Sequence, residues 1–400
     1  MAPSDPKYRI ESLDAVDGQL CIDWSDGHSS RFHPIWLRHQ CACPACGSPL
    51  TAVRGLRLHH IPSDIAFRVV AHDGGTVDLV WTNDGHPSRY SATWLRDHCY
   101  SYGERQRRRH RPILWDRRIH NDPPTADMPA CEASAAQRLA LLERVRDYGF
   151  CRVGNAGTEA AETERLINLV GPQRRSHYGT YKLSKKAAVD NVGDITDPLD
   201  PHVDETYRLS TIGITVFQVL RPSAEGGHST LVDGFEAVRR LKAAHRADFE
   251  LLTRVPITGS RRDQAHNSAG QVKWYAATMP AIRLDFDGEV SGLRCNERQI
   301  MPLDLPERLI EPCYRALKHL FEILYDPDLR VTFELAAGEG LIFDNQRVLH
   351  GRTGFSAEEP ARSVLTSSVD MEEFHSSLRL LTEQLRGHVP PLRLAQGMVA

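Results

Sequence analysis

Apolar and polar residues alternate along two short stretches near the N-terminus, Gln19-Leu-Cys-Ile-Asp-Trp24 and Thr76-Val-Asp-Leu-Val-Trp81. A period of two is the mark of a strand with one buried face. Asp-Gly and Gly-Gly pairs punctuate the region 8–115, which therefore reads as short antiparallel strands and hairpins. From residue 134 the period lengthens. Leu139, Leu142 and Val145 recur at helical spacing between Ser134 and Gly149, predicting a capped helix over 134–148. A strand at 150–153 and a helix at 158–170 follow. The stretch 211–220 is apolar on both faces, as a buried strand is. Covering helices are expected at 233–246 and 306–325, and strands at 331–335, 340–344 and 363–368. This order fits an α+β chain whose larger part is a double-stranded β-helix, or jelly-roll, with helices packed on one sheet. Residues 116–133 carry three prolines and no periodicity, so they read as a linker. The expected organisation is a β-rich N-terminal domain over 1–115, the linker, and a catalytic-size domain over 134–400.

The N-terminal region repeats itself. Trp24-Ser-Asp-Gly-His-Ser-Ser-Arg-Phe-His-Pro-Ile-Trp-Leu-Arg-His is echoed by Trp81-Thr-Asn-Asp-Gly-His-Pro-Ser-Arg-Tyr-Ser-Ala-Thr-Trp-Leu-Arg-Asp-His, which suggests a duplicated β unit. Cys41-Ala-Cys-Pro-Ala-Cys46 follows the first copy, and His86 in the second copy's turn is the preferred fourth ligand. Cys41, Cys43, Cys46 and His86 would close a tetrahedral structural Zn(II) site with no open position. In a small β domain such an ion contributes to folding.

Composition adds limits. The chain has 400 residues, 41% apolar and 25% charged, with a net charge of −3, an ordinary soluble balance. Nothing global points to nucleic acid or an anionic membrane surface, and the run Arg105-Gln-Arg-Arg-Arg-His-Arg111 reads as a solvated helix or subunit contact. Nine cysteines, three of them crowded together, indicate reduced thiols around a metal rather than a disulfide framework. The N-terminus lacks the apolar core of a signal peptide, and no apolar run reaches membrane-spanning length. A cytoplasmic protein is expected.

The chemistry centres on His202-Val-Asp204, with His350-Gly-Arg far downstream. On an extended segment, residues two apart share a face. Two imidazoles and one carboxylate make the facial triad that holds Fe(II) and leaves positions open. Gly226-Gly-His-Ser229, the run Phe343-Asp-Asn-Gln-Arg-Val-Leu-His350-Gly-Arg352, and Arg362 complete a pattern that resembles the Fe(II)/2-oxoglutarate dioxygenases of the taurine dioxygenase type. The resemblance implies that His202, Asp204 and His350 bind iron, that Arg362 receives the far carboxylate of 2-oxoglutarate through its planar fork of donors, and that Ser229 offers that carboxylate a hydroxyl. It implies hydroxylation by O2 with release of succinate and CO2, ascorbate serving as reductant in assays. Related halogenases replace the carboxylate that Asp204 supplies, so its presence here argues for hydroxylation.

Trp36-Leu-Arg, Asp84-Gly-His86, Tyr178-Gly, Asn191-Val, Val232-Asp-Gly-Phe235 and Asn296 extend the likeness to γ-butyrobetaine hydroxylase and trimethyllysine dioxygenase. Members of this type are homodimers, and the same is expected here. The family cages a trimethylammonium group in aromatic walls. Tyr178 remains and Tyr181 is a second candidate wall, but Asp194 and Ser368 stand where further tyrosines belong. Asp194 is read either as the partner of a primary amine or guanidinium, with Asp190 and Glu205 adding acidity, or as a loop residue facing water. Asn191 and Asn296 are assigned to substrate. The leading expectation is a small polar, cationic or zwitterionic substrate other than γ-butyrobetaine. The alternatives are γ-butyrobetaine or trimethyllysine itself, and a non-catalytic zinc-stabilised binding protein on a dioxygenase fold.

Overall fold

The computed structural model describes residues 8–48, 53–175, 181–183, 195–263, 272–356 and 362–394. The chain divides into two compact units, Met1–Arg109 with Pro390–Leu392, and His110–Val389 with Arg393–Ala400.

In the first unit the duplication is real in three dimensions. One copy is β1 (Ile10–Val16), β2 (Gln19–Trp24), β3 (Ser29–Phe32) and helix α1 (Pro34–His39); the other is β4 (Phe67–His72), β5 (Thr76–Trp81), β6 (Pro87–Ser91) and α2 (Ala92–Asp97). Each copy forms a three-stranded antiparallel sheet. Alternation sends Leu20, Ile22 and Trp24, and Val77, Leu79 and Trp81, into one shared core. Each buried tryptophan donates its indole N–H to a serine hydroxyl of its own copy, Trp24 to Ser30 at 2.9 Å and Trp81 to Ser88 at 2.8 Å. The copies also clasp each other reciprocally. Arg96 donates to Asp26 at 2.8 Å, and Arg38 lies 3.5 Å from Asp84.

The second unit begins earlier than expected. Residues 116–133 are not a linker, because β7 (Thr125–Asp127) joins a sheet and Trp115 is buried in the core of this unit. Prolines at a sheet edge and at a helix start produced the aperiodic pattern. In chain order follow α3 (Ala135–Tyr148), β8 (Phe150–Gly154), α4 (Ala160–Val170), β9 (Tyr181–Leu183), β10 (Leu199–His202), β11 (Ile214–Arg221), β12 (Ser229–Asp233), α5 (Gly234–Ala244), α6 (Arg246–Leu252), α7 (Glu307–Leu324), β13 (Val331–Phe333), β14 (Gly340–Asp344), β15 (Val348–Arg352), β16 (Ser363–Val369) and α8 (Met371–Arg386). Helix α3 starts and stops as its sequence predicts: Ser134 accepts from the Gln137 amide at 3.4 Å, and Gly149 closes it at φ 79°. The helix expected over 233–246 ends at Ala244, and His245 turns the chain into α6.

Two sheets carry the unit, a six-stranded one in the order β9-β16-β11-β14-β8-β7 and a four-stranded one in the order β10-β15-β12-β13. Phe150, Val219, Phe343 and Val364 of the first pack with Leu231, Phe333 and Val348 of the second in a single core. This is the two-layer arrangement a jelly-roll requires. Helices cover both sheets rather than one: α3 and α4 lie on the six-stranded sheet, and α5 on β12 and β15. A fully buried ion pair pins the layers. Arg347 donates to Asp233 at 2.9 and 3.1 Å, and to the carbonyls of Asp147 and Ile113. Breaking one member would leave an uncompensated buried charge.

His375 of α8 is 2% exposed. Burial, with Arg379 beside it, pulls its imidazole down to about 3. The folded ring is therefore neutral, whereas the unfolded ring titrates near ~6.5. A depressed histidine contributes stability that is complete above the unfolded value and is lost as pH falls toward the folded one. Denaturant unfolding should show the wild type losing up to ~4 kcal/mol between about pH 6.5 and 3, and His375→Gln losing that much less. Equal slopes in both proteins would refute this.

Candidate metal centres

The first cluster lies in the first unit. Cys41, Cys43 and Cys46 place their sulfurs 3.5, 3.4 and 3.4 Å from His86 Nε2. Ligands around a tetrahedral zinc, with bonds of about 2.3 Å to sulfur and 2.0–2.1 Å to nitrogen, stand roughly 3.6 Å apart. The donor set therefore fits such an ion. Burial pushes the Cys46 thiol up to about 11, and three thiolates at this spacing need a cation to coexist. Arg38 and Ser88 donate to the Cys46 and Cys41 sulfurs, each at 3.1 Å.

The other copy carries a counterpart with a single cysteine. His28 Nε2 meets the Cys99 sulfur at 3.4 Å, as His86 meets Cys41. Ser101 and Glu104 stand at the repeat positions of Cys43 and Cys46. Arg96 pairs with Glu104 at 2.7 Å, the counterpart of Arg38 at Cys46. Extending the repeat beyond Trp-Leu-Arg would have revealed this in the sequence.

The second cluster lies in the four-stranded sheet. His202 ends β10 directly opposite His350 on β15, so the two rings lie side by side with centroids 4.4 Å apart. Asp204 follows β10, its two carboxylate oxygens 3.4 Å from His202 Nε2 and from His350 Nε2. His202 Nδ1 lies 2.9 Å from the Asp200 carbonyl, which fixes the proton there and leaves Nε2 as an electron-pair donor. Burial, reinforced by His350, lowers the His202 imidazole and keeps it neutral. Desolvation would raise the Asp204 carboxyl, but His350 and His202 outweigh it and hold it well below the usual range. Two imidazoles and an ionised carboxylate on one point suit a divalent transition metal.

The clamp that holds this geometry was not legible from residue spacing. Asn345, fully buried, accepts from the Asp204 amide at 3.0 Å and donates to the Asp204 carbonyl at 3.2 Å. Asn296 is also buried, donates to the Val203 carbonyl at 3.5 Å, and keeps Oδ1 without a partner among the described residues. It lines a cavity of about 110 Å³ with His202 and Tyr325.

Arg362 enters β16 buried at 6% exposure, against the rings of Phe217 and Phe355. Burial, together with Arg352, draws its guanidinium down to about 10, and among the described residues it pairs with no carboxylate. Gly227, at φ 72°, makes room for it: a Cβ there would stand 3.3 Å from Arg362 Nε and 2.9 Å from Ser223 Oγ. Ser229, also buried, opens β12 in register with Arg352. Arg352 itself binds the carbonyls of Ile195 and Asp197, tying that segment to β15.

Of the substrate candidates, Tyr181 begins β9 in register with Thr366, while Tyr178, Asn191 and Asp194, like Asp190, lie outside the described residues. Ser368 sits within β16 opposite Thr215. Glu205 does not add acidity to a pocket. It is buried at φ 56° and paired with Arg174 at 3.0 Å and Arg208 at 3.2 Å. Two residues on, Tyr207 is buried and stacked on Tyr275 with centroids 5.9 Å apart.

Comparison with known proteins identifies the family. The profile of the Taurine catabolism dioxygenase TauD, TfdA family matches residues 115–367, and that of the Gamma-butyrobetaine hydroxylase-like, N-terminal family matches residues 12–96. Trimethyllysine dioxygenase of Meyerozyma guilliermondii is 31% identical over 92% of this chain and 94% of its own. Gamma-butyrobetaine dioxygenase of Pseudomonas sp. is 30% identical over 90% and 93%. A solved asparagine oxygenase in complex with Fe(II), 3-hydroxyasparagine and succinate aligns at TM-score 0.48 and 16% identity, over 61% of this chain and 82% of its own. The chain belongs to the TauD, TfdA family and is an Fe(II)- and 2-oxoglutarate-dependent dioxygenase.

Proposed function

We propose that the protein hydroxylates a small cationic or zwitterionic metabolite at an iron held by His202, Asp204 and His350. The observation that carries this reading is the three-ligand cluster, with 3.4 Å contacts, in the same unit as a buried arginine that meets no carboxylate among the described residues. Bound Fe(II) supplies the activation of O2 that drives decarboxylation of 2-oxoglutarate to succinate. The protein's own part is positional. His202 and His350 offer Nε2 lone pairs, Asn345 holds the Asp204 backbone, and Arg362 with Ser229 binds the distal carboxylate of 2-oxoglutarate. Asn296, Tyr178, Tyr181, Asn191 and Asp194 are assigned to the substrate. Cys41, Cys43, Cys46 and His86 hold a structural zinc ion, and the active species is a cytoplasmic homodimer.

Arg362→Met should raise the KM for 2-oxoglutarate about 100-fold, the loss expected for charge-assisted bonds to a carboxylate. An unchanged KM in steady-state kinetics would remove Arg362 from the cosubstrate site.

The similarity to trimethyllysine and γ-butyrobetaine dioxygenases favours a second reading, in which one of those compounds is the substrate. Succinate release, with Fe(II), 2-oxoglutarate and ascorbate, decides between the two across γ-butyrobetaine, trimethyllysine, other betaines, basic amino acids and diamines. Stimulation by a primary amine or guanidinium compound alone supports the first reading and Asp194 as its partner. Stimulation by a trimethylammonium compound supports the second. Silence across the panel, uncoupled turnover included, counts against both.

A further inference from the structure

A third constellation of metal-ligating side chains lies in the second unit. His245, Asp248 and His319 offer ligand atoms that all fall within 4.8 Å of one another. They come from two helices and the turn before one of them: His245 forms the elbow between α5 and α6, Asp248 lies in the first turn of α6, and His319 projects from α7. We propose that these residues bind a divalent transition-metal ion of the zinc, cobalt, nickel or copper class.

The donor set decides the class. Two imidazoles and one carboxylate favour borderline transition ions over magnesium or calcium, which take oxygen ligands. Three ligands leave positions open to water, so the ion is exchangeable, unlike one held by three thiolates and an imidazole. A simpler account is a network that stitches α6 to α7, because Asp248 accepts from His319 at 2.7 Å and from Arg315 at 3.3 Å. That network has no use for His245. The His245 ring lies face to face with His319, centroids 3.9 Å apart and planes 15° from parallel, and makes no side-chain hydrogen bond among the described residues. Two imidazoles this close repel when both are protonated and can share one ion when both are neutral. Asp248 is 5% exposed and oriented by its two partners, as the carboxylate of a formed site would be.

The consequence is mechanical. Helices α5, α6 and α7 share a core with Val203, Leu349 and Cys295, the neighbours of His202, Asp204, His350 and Asn296. An ion joining the three helices braces the layer behind the iron ligands without entering the chemistry.

The test uses full-length protein dialysed against Zn(II), with bound metal measured by elemental analysis and thermal unfolding followed as zinc is added. His245→Phe keeps a ring for the stack but removes the ligand nitrogen, and His245→Ala removes both. Both variants should hold one zinc equivalent fewer than wild type, with zinc affinity at this site at least ~10-fold weaker and the matching part of the zinc-induced rise in Tm lost. Equal zinc content and equal Tm response in wild type and His245→Phe would overturn the proposal and leave only the Asp248 network. The outcome is independent of the iron ligands, since neither variant touches them.

Discussion

Asp204→Ala should lower Fe(II)-dependent succinate formation from 2-oxoglutarate by at least ~10³-fold while leaving the protein folded and its zinc content unchanged. The carboxylate is the one anionic donor among the three, 3.4 Å from each imidazole nitrogen. Removing it leaves two imidazoles, which carry no negative charge to offset that of a divalent ion and cannot complete a three-point face. The fold should survive because the Asn345 clamp grips the Asp204 amide and carbonyl, both of which alanine retains. Turnover is read as succinate, iron and zinc by elemental analysis. Wild-type rates in the variant would exclude this cluster as the reaction centre. A loss of zinc would mean that the roles of the two metal clusters have been exchanged.

Cys43→Ser should have the reverse signature. Zinc should fall by one equivalent and iron binding should persist, while the first unit becomes sensitive to protease. Cys43 is only half-buried, so the substitution opens no cavity and its effect is that of a lost ligand. Binding of a structural zinc is worth roughly 10–16 kcal/mol in small domains, and loss of one thiolate forfeits several kcal/mol of it. The unit should loosen rather than vanish, because Trp24, Trp81, Phe32 and Leu37 form a core of their own. A zinc content equal to wild type, or unchanged protease resistance of the region 8–109, would remove the structural role assigned to the cluster. The other copy offers an internal comparison: at the positions of Cys43 and Cys46 it carries Ser101 and Glu104, and Arg96 pairs with Glu104 there.

The pattern of residues carried the local part of this architecture. Period-two alternation in Gln19–Trp24 and Thr76–Trp81 marked buried strand faces, and Ser134 and Gly149 marked both ends of a helix. Both main ligand sets were legible for the same reason. His-x-Asp places two donors on one side of an extended segment, and three cysteines within six residues cannot avoid one another. The 116–133 segment was misread because its pairing partner, β8, follows only after two intervening helices. Proline content describes the chain locally and is silent about which edge it joins.

What remained hidden depended on contacts between residues far apart in sequence. The pairing of His202 with His350 across β10 and β15 sets the distance between the imidazoles, and Asn345 reaches back to Asp204 to hold the third donor. The neutralisation of Glu205 by Arg174 and Arg208 required the folded chain, since no spacing rule connects residue 174 to residue 205. His319 likewise reached His245 and Asp248 only through the packing of three helices. Residue types and short spacings select which donors exist, because ligand chemistry and strand or helix periodicity act over a few residues. Strand register, burial and helix packing settle which donors meet and which charges are neutralised, because those depend on long-range geometry that short spacings leave open.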